Sequence, residues 1–187
     1  AGPNDKPDDK MIYLPYWLLT YEEMLSMLLD RSDSNAPNQA MIFSNAVLKY
    51  KEEMLSASGL LDEYSSFTLD SPIPYSLANA ISYLTSIDNE MVMGANSKEK
   101  QGPYFGKLTR FVQRLNSKVT DRRLNFLFNQ SENLLEMDYL DNLVEKLTGC
   151  ESNVNKGVKI VDFSEVPSDI LPLLIGLVTR IILIVQQ

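Results

Sequence analysis

Four cations recur at helical spacing in the middle of this sequence: Lys107, Arg110, Arg114 and Lys118, separated by steps of three, four and four residues. On a helix such steps bring the charges to one side. Leu108, Phe111, Val112 and Leu115 would form the opposite, apolar side. Arg122 and Arg123 extend the group, so six of the chain's 17 basic residues fall within one short window. Such a face could bind phosphate, meet an acidic neighbouring subunit, or send an arginine to a nucleotide held by that neighbour. It could equally be a solvated face paired with acidic side chains of its own chain.

A second candidate lies in "VKIVDFSEVPSD". The pattern predicts a strand over 158–163, which would place Asp162 and Ser164 at its carboxyl end. Open α/β sheets put their ligand sites there, and an apolar run ending in Asp also suits the metal-binding strand of an ATPase. Ser164, Ser168 and Asp169 are equally suited to turn and cap duty before a helix. "GPYFGKLT" (102–109) imitates a phosphate-binding loop but fails its chemistry. Three residues rather than four separate the glycines, Leu108 stands where a hydroxyl is needed, and Pro103 lacks an N–H. It reads as a tight turn into a helix.

Composition narrows the choices. A chain of 187 residues suffices for one domain of ordinary size. Its net charge of −8 opposes a free-standing nucleic-acid binder, which is usually basic. With no histidine and one cysteine, Cys150, the sequence has no Cys/His zinc site, Ser-His-Asp triad or internal disulfide. Magnesium held by carboxylates stays open. The lone thiol fits a reducing, cytoplasmic setting. "AGPNDKPDDK" at the start is polar, lacks an apolar signal core and an initiator methionine, and is expected to be an exposed loop of a cut-out or processed chain.

The elements that must position these residues are mostly helical. Residues 11–17 read as a short strand or extended lead-in. Thr20 is a hydroxyl cap for a first helix, with Glu22 and Glu23 in its first turn. Further helices are expected over 38–58, stopped by Gly59, and over 76–87, 104–117 and 137–147, the last stopped by Gly149. The stretch 94–103 is expected to be a mobile loop, and Thr120 to cap a short element over 121–128. The final helix, 170–185, has only Thr179 and Arg180 as polar side chains. It is shorter than the ~20 apolar residues of a membrane span. A helix apolar all round belongs inside a protein. Either the helical block wraps it, or it joins a sheet-and-helix core whose other strands lie outside this sequence, because a strand leading into a buried helix is half of a βαβ unit.

Four stretches in order, "MIYLPYWLLTYEE", "LDSPIPYSL", "QGPYFGKLTRFVQRLNSKVTDRRLNFLF" and "GVKIVDFSEVPSDILPLLIGLVTRI", resemble the central part of HerA-type ATPases, relatives of FtsK-like DNA translocases. The resemblance implies hexameric RecA-like motors that use ATP to move along or unwind duplex DNA, some working with nucleases or with phage-defence effectors. It implies a mainly α fold: a helical bundle inserted between short strand segments of an incomplete RecA-like α/β core. Residues 1–20 would be an extended lead-in, 21–148 the bundle, and 149–187 a strand and buried helix returning to the core. The phosphate-binding loop and catalytic glutamate are expected outside this chain. No catalytic or metal residue is therefore assigned within it, and ATP and magnesium are implied only for the full-length protein. Arg110, Arg114, Arg122 and Arg123 match the family's basic stretch. The implied partners are copies of the chain, up to a hexamer, double-stranded DNA, and an effector or nuclease, with no membrane. A self-contained helical interaction module without catalysis is the other reading.

Overall fold

Thr20 and Glu23 open the first helix by capping each other. The Thr20 hydroxyl accepts from the Glu23 amide at 3.3 Å, while the Glu23 carboxylate accepts from the Thr20 amide at 2.7 Å. The computed structural model of the chain describes residues 12–94, 98–148 and 160–185. Within them helices α1 (Tyr21–Leu28), α2 (Ala36–Ala57) and α3 (Leu77–Asp88) are followed by a hairpin of β1 (Met91–Met93) and β2 (Glu99–Gln101). Helices α4 (Thr109–Thr120), α5 (Asn125–Phe128), α6 (Tyr139–Thr148) and α7 (Leu171–Val185) complete the order. The fold is mainly α, and the hairpin is the only sheet among the described residues.

The end of α2 and the start of α3 each have a local cause. Gly59, at φ +71°, closes α2 with Gly59 N–H donating to Ser56 O and Leu60 N–H to Leu55 O. That double bond pattern requires a left-handed residue, which glycine adopts without steric cost. Ser76 caps α3 by accepting from the Asn79 amide at 3.2 Å. α3 packs against both α2 and α4, α1 touches α4, and α6 touches α7. One apolar core links them, with Trp17, Phe43, Leu84, Phe111, Leu115, Leu127 and Leu174 almost wholly buried.

Several expectations change here. The lead-in is irregular over 12–15 and then makes a 3-10 turn, Tyr16–Leu18, which puts Tyr16 and Trp17 into the core. Trp17 Nε1 donates to Leu134 O at 2.9 Å, and Tyr16 Oη accepts from Leu77 N at 3.1 Å. The stretch expected to be a mobile loop carries strand β2; residues 95–97 lie outside those described. Helix α4 starts later than expected because residues 104–107 form a turn around Gly106, at φ +70°. Asp121, not Thr120, caps the element that follows. Its carboxylate accepts from Arg123 N, whereas the Thr120 hydroxyl donates back to Asn116 O within α4. No strand forms over 160–163, where Ile160 is 88% exposed and no neighbouring strand is present among the described residues. Residues 158 and 159, and the expected Gly149 stop, lie outside the described set.

The last helix is neither fully wrapped nor fully bare. Ile170, just before α7, and Leu174, Leu177, Val178 and Ile181 within it are buried, while Ile175, Leu183 and Ile184 are 49%, 56% and 66% exposed. Arg180, its one charge, forks onto Glu23 of α1 at 2.8 and 2.9 Å and also donates to Leu18 O at 3.1 Å. No helix among the described residues is long and apolar enough to cross a membrane.

Candidate functional site

The basic helix α4 is held by a residue that the sequence reading passed over. Asp88, at the end of α3 and 7% exposed, accepts from Leu108 N at 2.7 Å and from the Thr109 hydroxyl at 2.5 Å. Its carbonyl also accepts from Gly106 N at 2.9 Å. A carboxylate thus occupies the positive end of α4, where an anion would otherwise be favoured. In "GPYFGKLT" the amides of Gly102, Phe105, Gly106, Lys107 and Leu108 are already bonded within the chain, which leaves little of a phosphate cradle. Gln39, fully buried on α2, donates to Lys107 O at 3.1 Å and to Asp33 at 3.2 Å, anchoring the same turn. Neither residue had a local sequence signal. Their roles come from helices that meet only in three dimensions.

Five of the six basic residues lie along α4 and the turn after it, whereas Lys107 stands in the turn before α4, outside the helix expected to carry it, and their environments differ. Arg114 donates to Leu28 O at 3.0 Å and to Asp30 at 3.3 Å, satisfying a carbonyl at the end of α1. Lys118 stands 4.0 Å from Asp169, ahead of α7. Arg123 binds Asp121 through two nitrogens, at 3.1 and 2.7 Å, on a solvent-exposed surface. The Lys107 ammonium lies 5.9 Å from the centre of the Tyr104 ring. Arg110 is exposed, and its field helps to lower two carboxyls that local bonds lower first. Asp30 is held down mainly by the Ser32 hydroxyl and amide, and Asp33 mainly by the Asn35 amide. Arg122 is exposed and has no ion pair among the described residues.

Asp162 and Ser164 come together, but not at a strand end. Asp162 Oδ1 accepts from Ser164 N at 2.8 Å, an Asx turn that holds the carboxyl below its usual range. Among the described residues no group of three or more His, Cys, Asp or Glu side chains could hold a metal ion.

A buried cation was also missed. Lys51 of α2, 1% exposed, donates to Leu69 O at 2.7 Å and Ser71 O at 2.6 Å. Burial lowers its pKa to about 8, with Asp70 acting in the opposite direction. In "LKYKEE" it looks like one more surface lysine. Only the fold shows that it clasps the 69–71 turn, which Asp70 also fixes by accepting from Tyr21 N at 2.7 Å.

The arrangement defines a mainly helical domain in which three of the six clustered basic side chains, Arg114, Lys118 and Arg123, are engaged with acidic neighbours of their own chain. The profile of a protein family described as helicase HerA, central domain, matches residues 4–182. The chain belongs to that HerA family. No curated protein matches it.

Proposed function

We propose that this chain is the helical-bundle part of a HerA-type, ATP-driven DNA translocase or helicase, serving its structure and subunit assembly. The observation that carries the reading is α7. One face is buried in the bundle and fastened through Arg180 to Glu23, while Ile175 and Leu183 on another face remain bare aliphatic surface. A helix finished on one side only is suited to lie between two apolar layers, and a RecA-like sheet is the second layer we assign. Residues 149–187 then return to that core, 1–20 lead out of it, and 21–148 form the inserted bundle. In the full-length protein ATP and magnesium bind outside this chain, the subunits form a hexamer in the cytoplasm, and duplex DNA and an effector or nuclease are the partners.

Of the six clustered basic residues, Arg110 and Arg122 are exposed and have no ion pair among the described residues, Lys107 is half-buried beside the Tyr104 ring, and Arg114, Lys118 and Arg123 have partners within the chain. A subunit contact suits Arg110 and Arg122 better than DNA, since the net charge of −8 opposes approach to a polyanion. The test uses Arg110→Ala and Arg122→Ala in the full-length protein, measuring assembly, DNA-stimulated ATPase and the salt dependence of DNA binding. A subunit contact predicts lost hexamer with an unchanged salt slope. A phosphate contact predicts a slope flatter by about one unit per residue. If all three measurements equal wild type, the face is solvated surface and its role in the motor is disproved.

A further inference from the structure

The hairpin presents two edges of opposite character. β1 and β2 pair antiparallel with Met91 opposite Gln101, Val92 opposite Lys100 and Met93 opposite Glu99. Glu90 O accepts from Gly102 N and Gly94 N donates to Lys98 O, so the directly bonded pairs are 90 with 102, 92 with 100 and 94 with 98. It follows that the N–H and C=O groups of Met91 and Met93 point away from β2, and they have no partner among the described residues. Their side chains are 49% and 67% exposed. The outer edge of β2 is blunted by charge, since all three of its residues, Glu99, Lys100 and Gln101, are exposed and two are ionised. β1, "MVM", carries no charge.

We propose that the β1 edge pairs with the β1 edge of a second copy of this chain, making a four-stranded antiparallel sheet around a two-fold axis at Val92. The outward groups fit that arrangement: Met91 of one protomer bonds Met93 of the other in both directions, and Val92 faces Val92 across the axis. A β-branched pair is favourable in that position. The same operation on β2 sets Lys100 against Lys100, a repulsive like-charge pair, which selects β1. Because the contact is isologous it joins subunits in pairs, unlike the head-to-tail contacts of a ring. It therefore stands apart from the subunit contact assigned to the basic face.

The geometry supplies its own test. Facing residues of a non-bonded antiparallel pair have Cα atoms about 4.5 Å apart, within disulfide reach. In a Cys150→Ser background, Val92→Cys should oxidise to a covalent dimer, whereas Lys100→Cys should stay monomeric. Val92→Glu gains an attractive partner in Lys100 within its own hairpin but faces a second glutamate across the axis. It should leave the melting temperature unchanged and weaken self-association, measured by sedimentation of the whole chain, by about tenfold (~1.4 kcal/mol). Three results would overturn the proposal: no Val92→Cys dimer, cross-linking only in a mixture of Val92→Cys with Lys100→Cys, or self-association abolished by Leu183→Glu and indifferent to Val92→Glu.

Discussion

Replacing Arg180 by methionine keeps an unbranched apolar stem against α1 and removes the guanidinium. Three charge-assisted bonds disappear, two to Glu23 and one to Leu18 O, at 2.8, 2.9 and 3.1 Å. The pair is neither buried nor free, with side chains 34% and 24% exposed. Exposed pairs contribute about 0.2–1 kcal/mol and breaking a buried one costs about 3–5. Glu23 keeps the Thr20 amide as a donor, so its carboxylate is not orphaned. A loss of about 2–3 kcal/mol follows, which lowers Tm by about 4–12 °C in a domain of this size. Combining Arg180→Met with Glu23→Gln in a double-mutant cycle should give a coupling of about 1–2 kcal/mol. The pH dependence adds a second reading. Burial pushes the Glu23 carboxyl up, but bonds from Arg180 and Thr20 outweigh it and hold the folded pKa below the ordinary 4.5. A depressed carboxyl stabilises fully above its unfolded pKa, and that stability is lost as pH falls through the folded pKa. Wild type should therefore lose its advantage over Arg180→Met on acidification, in thermal melts from pH 7 down to 3. A Tm within about 1 °C of wild type at pH 7, with parallel acid limbs, would refute the fork as the fastening of α7.

Lys51 gives the opposite pH signature. Its pKa of about 8 lies under the ordinary 10.5, so between these values the unfolded chain binds more protons and the stability of wild type relative to Lys51→Met should rise with pH. Parallel denaturation curves across that window would refute this. Ile175→Glu and Leu183→Glu should reduce hydrophobic-dye binding and aggregation by the isolated chain while changing stability by no more than about 0.5 kcal/mol. A wild-type chain that binds no dye would show that the α7 face is covered. Arg110→Ala and Arg122→Ala should be similarly silent in melting, whereas Arg114→Ala, which leaves Leu28 O without its donor, should cost about 1–2 kcal/mol. Calorimetry of the chain with millimolar ATP should show no saturable binding, because Asp88 already accepts from the Gly106 and Leu108 amides and the Thr109 hydroxyl at the turn into α4.

What the sequence declared, it declared through local chemistry. Thr20 and Glu23 cap each other three residues apart, Gly59 must take a left-handed conformation, and α2, α3 and α6 fall close to their periodic patterns. Strand readings failed because strands need partners. "VKIVDF" has strand composition, but residues 160–163 have no neighbour to pair with among the described residues. "MVM" and "EKQ" have little strand pattern and pair because the chain doubles back on itself. Even the position of a cap turned on one residue, since Thr120 could bond its own helix and left the role to Asp121.

The candidate site was legible as a spacing and illegible as an environment. Of the four cations spaced by three, four and four, Arg110, Arg114 and Lys118 do share one helix, while Lys107 falls in the turn before it. The spacing gave no sign that Asp30 and Asp169, 84 and 51 residues distant along the chain from Arg114 and Lys118, would pair with them. A charge pattern reports where cations stand, and the fold decides how much of their field leaves the protein. By that measure Arg114, Lys118 and Arg123 are largely spent on their own chain, while Asp88 draws the start of α4 against α3. Among the described residues the outward features include Arg110 and Arg122 on the basic side, the uncharged β1 edge on the hairpin, and the aliphatic face of α7. Each calls for a different partner, a polar one, an extended strand and an apolar layer. On the proposed reading these three unlike surfaces meet neighbours, which is why the decisive measurements are of assembly before turnover.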